Sequence, residues 1–283
     1  MMLLPGHSGC KVEVIKTPDT LVVRKSSDDA HYIARLEKQC KKQIEYARYF
    51  DSDRISVPAV INFNAAGSKY SFDMNFIPGM DVISYLEYAS KEKIDMFIHS
   101  IMQIIETLLD DCCVSNVTTK IHAKYTAVKN DVKPRWSLTT KEEDVLDQKI
   151  LKGDIFLPSG KCHGDLTFSN ILIDRDSNRI HLIDFLDSFI ETPLQDMAKI
   201  RQDTRFGWSL RLYTGTCDAV RMRTIFAYMD GVFHNEFRRF NFYNKYYEMM
   251  QMINVLRVMN YSFDKRTYSY LEKCLKGLLN DKT

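Results

Sequence analysis

The feature that most restricts the fold of this chain is a change of hydrophobic period at Pro78. Before it, apolar residues recur at every second position in short runs. "CKVEVIK" alternates Val12 and Val14 with charged neighbours, "TLVVRK" is β-branched, and "TPD" between them is a turn. Val57 to Ile61 and Tyr70 to Ile77 read as two further strands, separated by the turn-rich "NFNAAGSK". Between the strand pairs, "SSDDAHYIARLEKQCKKQIEYARYF" opens on cap-forming Ser and Asp and sets Ile33, Leu36, Cys40, Ile44 and Ala47 at helical spacing, which predicts a helix from about Asp28 to Tyr49. After Pro78 come long amphipathic segments, "KEKIDMFIHSIMQIIETLLDDC", "AVRMRTIFAYMDGVFHNEFRRF", "NKYYEMMQMINVLRVMNYS" and "RTYSYLEKCLKGLLND". The expectation is an α+β protein of two lobes: a small antiparallel β lobe with one helix over residues 1–78, and a larger, mostly helical lobe over 79–283.

With 45% hydrophobic residues, the chain can build a core for both lobes. Its 39 basic and 37 acidic residues leave a formal charge of +2, which gives no electrostatic ground for a nucleic-acid or membrane partner. Seven cysteines without CxxC pairs suggest reduced thiols, with neither a disulfide framework nor a zinc site. "MMLLPGHSGC" is interrupted by Pro5 and Gly6, and no stretch approaches the roughly 18 apolar residues of a membrane span, so the expected location is the cytoplasm.

One region breaks the helical pattern of the second lobe. Residues 161 to 189 contain two short apolar runs, "NILID" and "IHLIDF", around the turn "RDSN", and acidic residues stand at their ends. His163, Gly164 and Asp165 are followed five positions later by Asn170, and Asp184 comes 19 positions after Asp165. The HxDxxxxN spacing is that of the catalytic loop of protein kinases and their small-molecule relatives. In the form "HGDLTFSNIL", with Gly where protein kinases have Arg, the chain resembles the aminoglycoside phosphotransferase and choline kinase superfamily.

The resemblance implies a two-lobed protein-kinase-like fold and a phosphotransferase that uses ATP and Mg²⁺ on a small-molecule hydroxyl acceptor. Phosphoryl transfer depends mainly on positioning and charge neutralisation, so a base and two oxygen ligands form the minimum set. On that basis Asp165 accepts the acceptor's hydroxyl proton, Asn170 and Asp184 hold Mg²⁺, and His163 is a structural member of the loop. Asp187 is balanced between a substrate-side role and capping of the helix that begins near "ETPLQDMAK".

The nucleotide side carries weaker signals. Ser8 and Gly9, in "GHSGC", could offer a hydroxyl and backbone N–H groups to phosphates. Lys25 stands where the kinase lysine contacts the phosphates, with Arg24 as its neighbour on the opposite strand face. The acidic partner of that lysine is expected at Glu37, with Gln39 and Glu45 as competitors. "DMNFIPGM" resembles the family's interlobe hinge, where backbone groups of Asn75, Phe76 and Ile77 would hydrogen-bond a purine. ATP is the expected donor, and GTP fits the same residues.

Acceptor choice is expected among Asp196, Lys199, Gln202, Asp203, Arg205 and Trp208, although Lys199 and Asp203 at i and i+4 also suit a helix ion pair. Trp208 and Tyr213 could stack on a sugar or hold a quaternary ammonium, with core packing as the ordinary role of aromatics. Sugars, aminoglycoside-like molecules and choline-like alcohols all remain open, and surface polysaccharide metabolism is one setting for the first. The rival readings are a protein kinase and a catalytically silent nucleotide-binding scaffold on the same fold. Nothing in the sequence sets the oligomeric state.

Overall fold

The structure, a computed structural model, describes residues 2–4, 10–18, 20–66, 69–110, 112–262 and 264–280. The β-branched runs pair as their alternation predicts. β1 (Met2–Leu4), β2 (Lys11–Lys16), β3 (Leu21–Ser27), β5 (Val60–Ala66) and β6 (Lys69–Asn75) form an antiparallel sheet in the order β1-β2-β3-β6-β5. Val14 lies opposite Val23, and Lys25 opposite Phe72. β5 starts three residues after the expected Val57 and continues through "NFNAA", where the sequence predicts a turn. As an edge strand it is exposed from Ile61 to Ala65, so Asn62 and Asn64 meet water without cost.

The helix α1 (Ala30–Tyr46) begins where Asp29 Oδ1 accepts the His31 N–H at 2.9 Å and ends three residues before Tyr49. Leu36 and Cys40 on its inner face pack against Val23, Tyr70, Phe72 and Met74 of the sheet. Before β5, the chain forms β4 (Ile55–Ser56).

The remaining elements are β7 (Met80–Asp81), α2 (Val82–Tyr88), α3 (Lys91–Leu109), β8 (Cys113–Asn116), α4 (Thr118–Val132), α5 (Thr140–Leu151), β9 (Phe156–Ser159), β10 (Ile171–Ile173), β11 (Ile180–Leu182), α6 (Pro193–Phe206), α7 (Trp208–Leu212), α8 (Ala219–Phe237), α9 (Asn241–Tyr261) and α10 (Lys265–Asn280). β10 and β11 are the two strands predicted around "RDSN". Asp174 Oδ1 closes the turn between them by accepting the N–H groups of Asp176 and Ser177 at 2.9 and 3.1 Å. With β4 and β7 they make a second sheet, in the order β4-β11-β10-β7.

The change of period at Pro78 marks the change of secondary structure, whereas compactness groups the chain another way. One unit contains Met1–Thr107, His163–Ser188 and Tyr213–Arg223; the other contains Leu108–Cys162, Phe189–Leu212 and Thr224–Thr283. The segment with the HxDxxxxN loop therefore belongs to the same unit as the N-terminal sheet.

In the second unit, Ile121, Tyr125, Leu146, Leu194, Met197, Phe233, Phe237, Met250 and Leu275 are buried among α4, α5, α6, α8, α9 and α10. Within this core, Arg201 of α6 makes a bidentate pair with Asp230 at 2.9 and 2.6 Å and donates to Tyr243 Oη at 2.7 Å. The described cysteines are free thiols. No helix among the described residues is long and apolar enough to cross a membrane.

Candidate active site

His163 starts the loop between β9 and β10, and burial gives it a structural task. It is 1% exposed and stacks on Phe185 with 4.3 Å between ring centroids. Its Nε2 lies 2.9 Å from the Ile183 carbonyl and its Nδ1 accepts the Asp165 N–H at 3.3 Å, so a neutral ring protonated on Nε2 satisfies both. Gly164 follows with φ +91°, turning the chain so that the Leu186 N–H donates to the His163 carbonyl at 3.0 Å. The loop of Asp165 and the loop of Asp184 are thus stitched together by short-range backbone bonds. Ile183 N–H adds another, to the Asn170 carbonyl at 3.0 Å.

Burial pushes the His163 imidazole down to about 4, and the nearby Asp165 charge offsets this only in part. A histidine whose folded pKa lies below its unfolded value of about 6.5 gives its full stabilisation above pH 6.5 and loses it as pH falls towards 4. Between pH 7 and pH 5, the wild type should lose about 2 kcal/mol more stability than His163→Gln. Denaturant titrations of both proteins at the two pH values check this, and equal losses would show that the ring is not held neutral.

Asn170 and Asp165 are tied to each other. Asn170 Nδ2 donates to the Asp165 carbonyl at 2.8 Å and to Asp165 Oδ2 at 3.1 Å, which commits the amide nitrogen and leaves Oδ1 as the atom to offer a cation. Asp184 sits just beyond β11 at φ +65°, and its Oδ1 accepts from Lys25 Nζ at 2.5 Å. This contact joins residues 159 positions apart.

Strand partners decide between the two basic candidates of β3. Arg24 points away and forks onto Asp73 of β6 at 2.7 and 2.8 Å, while Lys25 is 4% exposed and reaches the loop. Glu37 is half-buried and, among the described residues, makes no ion pair with Lys25. Asp187 accepts from Lys38 of α1 at 2.8 Å, whereas α6 is capped by Thr192. The capping alternative for Asp187 is therefore not what the fold uses.

Three further placements bear on the expected site. Asn75 N–H donates to the Ala59 carbonyl at 3.0 Å and Phe76 N–H to the Leu21 carbonyl at 3.3 Å, so two of the three N–H groups expected to meet a purine are bonded to the backbone. Ser8 and Gly9 lie outside the described residues. Asp196, Lys199, Gln202 and Asp203 are all buried in α6, and Asp203 Oδ1 accepts the Ser209 N–H at 2.6 Å, so they do not form an open polar wall.

The sequence reading missed the stripe by which α1 grips the Asp184 loop. Besides Lys38, Lys42 Nζ donates to the Leu186 carbonyl at 2.7 Å, and Tyr46 packs on Phe185 with centroids 5.0 Å apart. The signal was present as 38, 42 and 46 at i, i+4, i+8, but lysines at that spacing read equally well as a solvated face.

Two carboxylates, an amide oxygen and an inward lysine stand beside a five-stranded sheet, an arrangement that fits a protein-kinase-like fold. The model of the phosphotransferase enzyme family APH matches residues 118–230, which include this loop. A comparison with curated proteins finds no match. Among solved structures, the fold is similar to APH(2″)-IIa in its ternary complex with streptomycin and ATP, with 15% identity, 99% of this chain and 91% of that one covered, and a TM-score of 0.53. It is similar to macrolide 2′-phosphotransferase MphH from Brachybacterium faecium (9% identity, 100% and 92% covered, TM-score 0.53) and to an ethanolamine kinase from Plasmodium vivax (13%, 98% and 81%, 0.52). In motif and in fold, the chain resembles the aminoglycoside phosphotransferase and choline kinase superfamily.

Proposed function

We propose that the protein is a small-molecule kinase that transfers the γ-phosphoryl group of ATP to a hydroxyl of a small polar acceptor. The observation that carries this reading is the convergence of Lys25, Asp165, Asn170 and Asp184 within one unit, with the Lys25–Asp184 contact at 2.5 Å as its centre. Asp165 orients the acceptor hydroxyl and takes its proton, and Asn170 Nδ2 holds the Asp165 carboxylate in place for that task. Lys25 supplies a positive charge to the nucleotide phosphates, and the Ile77 N–H meets the purine. In this reading, residues 1–78 carry the nucleotide side, and residues 79–283 carry the catalytic loop and acceptor choice.

The donor set suits magnesium. Asp184, 42% exposed in its side chain, and Asn170 Oδ1 are hard oxygen ligands, and among the described residues no three His, Cys, Asp or Glu converge as a complete protein cage would require. Magnesium binds through one or two protein oxygens with waters and phosphates completing its shell, and when bound it neutralises phosphate charge.

The acceptor classes are sugars, aminoglycoside-like molecules and choline-like alcohols, with a sugar of surface polysaccharide as one candidate. ADP release from Mg-ATP, measured against separate pools of each class with Asp165→Asn as control, tests the function. A pool-dependent signal lost in the variant supports it; nucleotide binding with silence across all pools favours the scaffold reading, and no nucleotide binding sinks both. For the metal role, Asp184→Asn should weaken Mg-dependent ATP affinity by at least about tenfold. Calorimetry with and without magnesium checks this, and an unchanged affinity would remove Asp184 from the ligand set.

A further inference from the structure

A cavity of about 350 Å³ in the first unit is lined by Ser52, Asp53, Arg54, His99 and Gln103, none of them a residue of the candidate active site. Its size is at the lower end of the roughly 300–1,000 Å³ usual for small-molecule sites, but such sites are mostly apolar, and here every lining residue is polar. One wall is the turn before β4, which its own hydrogen bonds fix in place. Ser52 N–H donates to the Ile55 carbonyl at 2.9 Å, Ser52 Oγ accepts the N–H groups of Arg54 and Ile55 at 3.3 and 3.1 Å, and the Arg54 carbonyl accepts the Ile180 N–H of β11 at 2.8 Å. The other wall is α3, where His99 and Gln103 stand one turn apart on one face. Charges beside the cavity are already paired: Asp51 with Arg179 at 3.3 Å, and Asp95, one turn before His99, with Lys91 at 2.7 Å. Among the described residues, by contrast, the side chains of Asp53, Arg54, His99 and Gln103 make no hydrogen bond or ion pair. A guanidinium, an imidazole, a carboxylate and an amide thus surround one hollow with their hydrogen-bonding capacity unused.

We propose that this cavity is a second ligand site, for a small molecule that joins a phosphate monoester to an ammonium group. The anion follows from Arg54 and His99. A guanidinium fork engages both oxygens of a carboxylate, whereas a phosphate monoester has a third terminal oxygen left to accept the ring N–H of His99 from α3. The cation follows from Asp53, beside Arg54 in the turn. Its carboxylate repels a bare anion, and an ammonium on the same ligand turns that repulsion into an ion pair. Gln103 both donates and accepts, so it serves either end of such a ligand. Because backbone bonds already fix the turn, binding has only side chains to order. The assignment goes beyond the phosphotransferase reading and does not depend on it.

The test is a titration of the full chain with O-phosphoethanolamine, without nucleotide or magnesium, followed by NMR of the histidine rings, with the His99 signal assigned by its loss in His99→Ala. The His99 signal should move saturably, and inorganic phosphate, which lacks the ammonium, should bind about fivefold more weakly. Arg54→Gln should weaken O-phosphoethanolamine about tenfold; it keeps the carbonyl that Ile180 uses, so its melting midpoint should match that of wild type. Asp53→Asn should remove most of the difference between the two ligands, and this variant carries the test if Arg54→Gln melts lower. A His99 signal that stays still, or an Arg54→Gln protein that melts and binds as wild type does, overturns the site. Inorganic phosphate bound as tightly as O-phosphoethanolamine, or an unchanged preference in Asp53→Asn, overturns the assigned ligand class.

Discussion

Asp165→Asn should lower kcat for phosphate transfer by about 10²- to 10⁴-fold, the usual span for losing a general base, and leave Mg-ATP affinity within about twofold of wild type. The division follows from geometry. Asp165 shares its carboxylate with Asn170 Nδ2 at 3.1 Å, and the ammonium of Lys25 is held by Asp184. The substitution removes a proton acceptor and keeps the shape of the loop, because the Asp165 backbone holds two of its local bonds, with Thr167 N–H at 2.7 Å and with Asn170 Nδ2 at 2.8 Å. Single-turnover kinetics and calorimetry on the same preparation separate the two quantities. Equal losses in binding and in turnover would show that Asp165 belongs to the nucleotide side.

Gly164→Ala should cost about 3 kcal/mol of stability, lower the melting midpoint by roughly 5–10 °C, and abolish transfer in the fraction that folds. At φ +91° a residue with a β-carbon is strained wherever it stands, and here that carbon would run into the carbonyl oxygen of Leu186. Relief cannot come cheaply, since the obstacle is backbone. The Leu186 carbonyl is held by Lys42 Nζ at 2.7 Å, and its N–H is bonded to the His163 carbonyl. Moving it pulls the Asp184 loop away from the Asp165 loop, which is why activity should fall further than stability. Thermal unfolding and steady-state turnover measure the two effects, and a variant that melts like wild type would mean that the loops part freely.

Asp165 was legible in the sequence because its constraint is local, whereas the need for glycine at 164 comes from the Leu186 backbone across the two loops. The five-residue interval from Asp165 to Asn170 and the apolar runs on both sides of "RDSN" set a loop, two strands and a turn by short-range pairing alone, and β10 and β11 form as that pattern predicts. Strand alternation likewise narrowed the basic candidate of β3 to one inward side chain, yet left open which one. The choice came from β6, where Asp73 stands opposite Arg24 and draws it outward.

Other parts of the site were decided by packing. Period and composition placed Glu37, Gln39, Lys38 and Lys42 on one helix but could not say which direction faced the loop, since that depends on how α1 rotates to bury Leu36 and Cys40 against Val23 and Phe72. The sequence also made Asp196, Lys199 and Asp203 read as a polar face, whereas the second unit buries α6 at every residue from Pro193 to Thr204. By itself the sequence determined the elements, the catalytic-loop spacing and the chemistry that spacing can serve. Only the tertiary structure brought Lys25 to Asp184, since that relation joins residues 159 positions apart and is set by side-chain volume and helix rotation, which no local pattern records.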